Sequence, residues 1–123
     1  MAWKFTSDAP IYLQIMDEIK LRIAQGRLKP GDKVPAVRDL ALKAGVNPNT
    51  MQKALSELER EGVLYSQRTS GRFVSDQSEA NANLKNNIAS KHIEAYINGM
   101  RDLGLSNDLI IDAIKNYFIE EEK

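Results

Sequence analysis

The chain has no cysteine among its 123 residues, which excludes disulfides and thiol chemistry. A single histidine, His92, cannot build a metal site alone. Long apolar runs are also missing. Runs no longer than Leu109-Ile110-Ile111 fall far short of the roughly 18 residues needed to span a membrane. No secretory leader is evident, so the expectation is a cytoplasmic protein with no membrane partner. No nucleophile–base pair, metal cluster or phosphate-binding glycine loop stands out, which gives no basis for an enzyme, a metal or a cofactor. Net charge is absent too, with 17 Lys/Arg against 17 Asp/Glu.

What the chain does have is enough apolar content for a core, 42%, and a charge distribution that is not uniform. Residues 1–75 carry 12 Lys/Arg against 8 Asp/Glu, whereas residues 76–123 carry 5 against 9. A basic front half and an acidic back half suit a nucleic-acid surface followed by a segment that faces away from it.

Hydrophobic spacing predicts the elements. Trp3-Lys4-Phe5 alternates like a short extended arm. Pro10 opens a helix whose buried face is Ile11, Ile15, Ile19 and Ile23, and Gln25-Gly26 ends it. After the Pro30-Gly31 turn, a short second helix begins beyond Pro35, with Val37, Leu40 and Ala41 inward and Gly45 as its left-handed terminator. Asn47 then caps a third helix with Pro48 at its first position. Met51, Ala54, Leu55 and Leu58 form its inner face; Asn49, Gln52, Lys53, Ser56, Glu57 and Arg60 form its outer face. Runs 63–67 and 72–75 read as a hairpin closed by Arg68-Thr69-Ser70-Gly71. The stretch 76–87 reads as a polar linker merging into a helix that carries Ile88, Ile93, Tyr96, Ile97, Met100 and Leu103. Gly104 breaks that helix, and Ser106 caps a last one lined by Ile110, Ala113, Ile114, Tyr117 and Phe118. The expected fold is mainly α (α+β): a winged helix-turn-helix over residues 1–75, then a helical region over 76–123.

A short helix, a tight turn at Gly45-Val46 and an outward third helix form the pattern that enters the major groove of DNA. Asn49 and Gln52 can pair bidentately with adenine, and Lys53 can reach guanine O6/N7. Arg38, on the outer side of the second helix, is placed for a phosphate. The hairpin tip, Arg68 to Arg72, is a small basic wing. A polar helix face is what any solvated helix shows; element order and the Asn-capped third helix bring the DNA reading level with that plain one, and the residues alone leave both open.

Taken together, Pro10 to Ile15, Gly26 to Ala41, Gly45 to Thr50, Lys53-Ala54-Leu55, Glu57-Leu58-Glu59, Glu61-Gly62 and Gly71 to Val74 resemble the GntR family of bacterial regulators. The resemblance covers residues 9–75. The short tail, with Leu103-Gly104-Leu105-Ser106 between two helices, looks like the YtrA-type subfamily, which carries only a two-helix dimerisation element. The resemblance implies a homodimer on a pseudo-palindromic operator in double-stranded DNA, often repressing its own operon, commonly one encoding an ABC transporter. It carries DNA contacts onto Arg38, Asn47, Asn49, Thr50, Gln52, Lys53, Arg68, Thr69, Ser70 and Gly71. Two positions depart from the family pattern. Ala36 stands where a serine usually caps the second helix, and Thr69 replaces a wing glycine. A positive φ at a β-branched residue is costly, so the tip is expected to take another shape and to contact DNA less specifically than the third helix does.

The two tail helices, with about 48 residues, are too small to bury their own core well. Association with a second copy is the economical solution, through Ile93, Tyr96, Ile97, Met100, Ile110, Ile114, Tyr117 and Phe118. The alternative is that the pair packs back on the winged helix. His92 is expected at the surface, and the stripe Tyr96, Tyr117 and Phe118 is expected in the core rather than in a pocket. An unidentified small-molecule effector between protomers stays open. The competing function is a winged-helix protein-interaction module without DNA binding, suggested by the neutral charge and the altered wing.

Overall fold

The computed structural model of the chain describes residues 3–76 and 79–123. Its elements are α1 (Ile11–Ala24), α2 (Val37–Ala44), α3 (Pro48–Arg60), β1 (Leu64–Gln67), β2 (Gly71–Val74), α4 (Glu79–Ala82), α5 (Leu84–Asp102) and α6 (Asn107–Glu121). They form two compact units, Met1–Lys85 and Asn86–Lys123.

In the first unit, α1, α2 and α3 close around one core because each buries one stripe. Ile15, Met16 and Ile19 of α1 meet Leu40, Ala41 and Ala44 of α2 and Met51, Ala54, Leu55 and Leu58 of α3. Fully burying an aliphatic side chain of this size contributes about 1.5–3 kcal/mol. The third-helix inner face is thus as the spacing predicts. The N-terminal arm is held as well: Trp3 and Phe5 pack on this core, and the Arg22 guanidinium lies 4.3 Å above the Trp3 ring.

The turn between α2 and α3 is local chemistry made visible. Gly45 sits at φ 76°, ψ 36°, the left-handed region that a side chain disfavours. Its N–H and that of Val46 both return to the Ala41 carbonyl, at 2.9 and 3.0 Å, which is how a helix end satisfies its last acceptors. Two residues later Asn47 Oδ1 accepts the Asn49 N–H at 2.7 Å, with Pro48 behind it at the first helical position. At the start of α2 no side chain caps the helix, since Ala36 has nothing to offer.

The antiparallel hairpin pairs Leu64 with Val74 and Tyr65 with Phe73, whose rings stack 5.7 Å apart. The segment before α2 runs along its other edge: Gly31 N–H donates to Val74 O, Val74 N–H to Asp32 O, and Val34 N–H to Arg72 O. Buried Val34, Val63, Leu64 and Val74 join this small sheet to the helical core.

Residues 79–82, expected to be linker, form a single helical turn instead. The Asn81 amide nitrogen donates to the carbonyls of Ser75 (2.8 Å) and Val63 (3.1 Å). That grip holds this stretch to the first unit, so the compact units divide after Lys85 rather than at the expected residue 75. Gln77 and Ser78, also in the expected linker, lie outside the described residues.

The second unit is a helix pair. Ser106 caps α6 by accepting the Leu109 N–H, and the Tyr96 hydroxyl of α5 donates to the Ile110 carbonyl of α6 at 3.1 Å.

Candidate nucleic-acid interface

Three features of the first unit present polar chemistry outward: the start of α3, the start of α2, and the hairpin tip. On α3, Asn49, Gln52, Lys53, Ser56 and Arg60 are exposed and Thr50 is half-buried. None of them belongs to the core, because the opposite stripe is completely filled. Asn47 is exposed, but its oxygen is committed to the cap; any contact it makes with DNA falls to its amide nitrogen. Gln52 Nε2 donates to Ser56 Oγ at 3.0 Å, one turn further on. Such a surface bond is easily exchanged for a base edge, since a hydrogen bond between exposed groups is worth about 1 kcal/mol net.

Lys53 is not extended into solvent. Its ammonium lies 4.0 Å above the ring of Tyr12, on α1. Sequence spacing places Lys53 on the outer face correctly but carries no sign of this partner, which comes from another helix.

Arg38 is exposed at the start of α2. Beside it opens a cleft of about 800 Å³ lined by Lys33, Ala36, Val37, Asp39, Gln67, Arg68 and Gly71, among others. One wall is the uncapped start of α2 and the other is the wing, so the cleft joins the two basic features. An uncapped helix start offers free N–H groups and a positive dipole end to an anion. Lys33 was missed as a contact residue at the sequence level, where it figures only within the family-like stretch Gly26 to Ala41. The sheet edge brings it across the hairpin: a Cβ built on Gly71 would stand 3.2 Å from Lys33 Cε.

The wing tip carries Thr69 without a positive φ. Arg68, Thr69, Ser70 and Gly71 are exposed, and Ser70 N–H closes the turn onto Gln67 O at 3.1 Å. Among the described residues no residue other than glycine has a positive φ, so Thr69 is unstrained; the left-handed step falls on Gly71, at φ 106°. Arg72, counted among the basic residues of the tip, points elsewhere. It is paired with Glu59 of α3 and is largely covered. Glu59 also accepts from the Ser66 hydroxyl of β1 at 2.6 Å. One carboxylate therefore ties α3 to both strands of the wing.

Burial alone would raise the pKa of Glu59. The hydrogen bonds from Ser66 and Arg72 and the charge of Arg72 outweigh it, and the net shift is downward from about 4.5. A carboxylate with a depressed folded pKa contributes stability above its unfolded value and loses it as pH falls through the folded one. Acidification below about 4.5 is expected to lower the thermal midpoint of the wild type partly through this group. Glu59→Gln should lack that part of the acid dependence. Parallel curves for the two proteins over that range would show that the carboxylate charge does not hold the wing.

In the tail, the eight residues expected to mediate dimerisation divide. Ile110 is buried within the chain, 4% exposed, and Tyr96, Ile97 and Met100 are half-covered. Ile93, Ile114, Tyr117 and Phe118 are exposed, Tyr117 to 67%. The aromatic stripe expected in the core is thus covered only at Tyr96; two helices share one mutual face and cannot cover the rest. Leu103, Leu109, Ile111 and Ile119 add exposed apolar surface that the sequence reading did not assign to dimerisation. Tyr96, Met100, Ala113, Ile114 and Tyr117 line a small cavity of about 280 Å³ between α5 and α6. His92 is exposed, as expected. Among the described residues no helix is long and apolar enough to cross a membrane.

A packed three-helix unit with a capped, polar, outward third helix and a hairpin beside it defines a winged helix-turn-helix of the DNA-binding class. The gntR family of bacterial regulatory proteins matches residues 11–74, and the chain belongs to that family. The uncharacterized HTH-type transcriptional regulator YhcF of Bacillus subtilis is 39% identical over 93% of this chain and 94% of its own. The HTH-type transcriptional repressor YtrA of the same organism is 45% identical over 59% of this chain and 56% of its own. Among solved structures, a GntR family transcriptional regulator from Listeria monocytogenes superposes with a TM-score of 0.83 at 37% identity, over 91% of this chain and 98% of that one. The DNA-binding domain of AraR in complex with its operator ORE1 reaches 0.53 at 33% identity, over 61% and 93%. These relatives are transcription regulators, not enzymes.

Proposed function

We propose that the protein is a homodimeric repressor that binds a pseudo-palindromic operator and controls its own or an adjacent operon, an ABC transporter operon being the kind the family resemblance implies. The observation that carries this reading is α3. Its Asn-capped start projects Asn49 and Gln52 into solvent while the opposite stripe is entirely buried. In this reading Asn49 and Gln52 meet base edges, the α3 and α2 starts with Arg38, Asn47 and Thr50 meet phosphates, and Arg68 to Gly71 touch the backbone. The repressor YtrA and the AraR–operator complex support it. The exposed Ile93, Ile114, Tyr117 and Phe118 supply the surface that a second copy covers, since a solitary chain would leave this much apolar area in water. A protein-interaction module is disfavoured because α3 exposes no large apolar side chain among the described residues.

Selection from random duplexes followed by titration tests the reading. Gln52→Ala should relax preference at one base pair per half-site, a loss of about 1–3 kcal/mol of discrimination. Arg38→Ala should weaken all sequences evenly and flatten the salt slope by about 1 for each contact removed. If selection enriches no sequence, the repressor reading fails; if the two variants exchange phenotypes, their roles are reversed.

A further inference from the structure

The Lys53 ammonium stands over the Tyr12 ring at 4.0 Å, and this contact joins the reading helix to the first turn of α1. Lys53 is the sixth residue of α3, and Tyr12 is the second of α1. Tyr12 is half-buried, with neighbours Ile15, Met16 and Ile19 further along α1 in the core, so its ring is fixed by packing. Lys53 is exposed, and no carboxylate is paired with it among the described residues. Lysine is a flexible point charge that loses considerable rotamer freedom when immobilised. A ring face attracts the ammonium but takes only one side of it, and the remaining N–H donors still point outward.

We propose that Tyr12 is a positioning residue for DNA binding: it parks Lys53 at the α1 side of the reading helix, where the ammonium meets a backbone phosphate rather than a guanine edge. The inference rests on the operator-binding reading and revises one residue within it. A lysine drawn sideways onto another helix is displaced from the floor of the groove that α3 would enter, and toward the strand that borders it. Base readout then belongs to Asn49 and Gln52. Lys53 contributes affinity for any sequence, and Tyr12 supplies part of that affinity without touching DNA.

The consequence is a coupling that a double-mutant cycle measures. At an exposed site a cation–π contact corresponds to about 2- to 5-fold in an equilibrium constant. Tyr12→Leu should therefore weaken operator binding about 4- to 25-fold when two half-sites are engaged, and Tyr12→Phe, which keeps the ring, should bind like the wild type. Lys53→Ala should lower affinity for operator and random duplex alike, leave the selected sequence unchanged, and flatten the salt slope by about 1 per protomer. In the Lys53→Ala background, Tyr12→Leu should have no further effect on binding. Thermal midpoints of all variants separate this from loss of fold, because a purely structural Tyr12 would weaken binding whether or not Lys53 is present. The proposal is overturned if Lys53→Ala changes the preferred base at a position, or if the two substitutions are additive. Wild-type protein that binds no duplex would overturn the operator reading as well, whereas additivity in a protein that binds overturns this inference alone.

Discussion

A chain ended after Lys85 is expected to fold, to sediment as a monomer, and to bind its operator at least 100-fold more weakly than the whole chain. The argument begins with the helix pair, whose exposed Ile93, Ile114, Tyr117 and Phe118 a second copy would cover. Two linked readers turn the second half-site into an intramolecular encounter, and linkage of this kind raises avidity by about 10²–10⁴ without a new contact. The position of the cut matters. Ending the chain after residue 78 would remove Asn81, whose amide donates to Ser75 O and Val63 O. An acceptor left without its partner costs about 1–3 kcal/mol if it stays out of water. The shorter fragment should therefore melt lower than the one ending at Lys85. In the whole chain, Tyr117→Glu offers the complementary measurement. A charge on the uncovered face should give monomers with an unaltered winged helix, while a dimer in either protein would remove the tail from its assigned role.

The second large effect is salt. A dimer that neutralises about 8 phosphates should show log K falling against log[salt] with a slope of roughly −7. Between 50 and 200 mM that is a loss on the order of 10⁴ in affinity. The positive charges placed to produce it are Arg38, Lys33, Arg68 and Lys53, all exposed in the first unit. Arg72 is not among them, because Glu59 holds it. Titrations in which affinity hardly changes with salt would leave these residues without a phosphate to meet, and the protein-interaction reading would then gain ground.

The parts of this molecule that were legible in sequence are those decided within a few residues. Gly45, Asn47 and Pro48 announce a helix stop and a helix start because each is chemically suited to one backbone position. The inner stripe Met51, Ala54, Leu55 and Leu58 follows from period alone. What stayed hidden depends on partners distant in sequence. Lys53 finds a ring on α1. Lys33 comes alongside the wing only through pairing at the sheet edge. Arg72 is diverted by a carboxylate on another element, and Asn81 holds two carbonyls that precede it by 6 and 18 residues. The tail misleads differently. Its period identifies the apolar face, but period cannot divide that face between the helix pair's own contact, where Ile110 is spent, and the surface left for another molecule.

The carboxylate of Glu59, shared between Ser66 and Arg72, has a bearing on descent. If Asn49 and Gln52 read base edges as proposed, operator preference can drift in a lineage by changes at those two exposed side chains. The hinge between reading helix and wing cannot drift one residue at a time. Losing Arg72 leaves a half-covered negative charge without its cation, and losing Glu59 releases a cation into the wing. Duplicated copies that acquire new operators should therefore inherit these three side chains as a set, or replace them together.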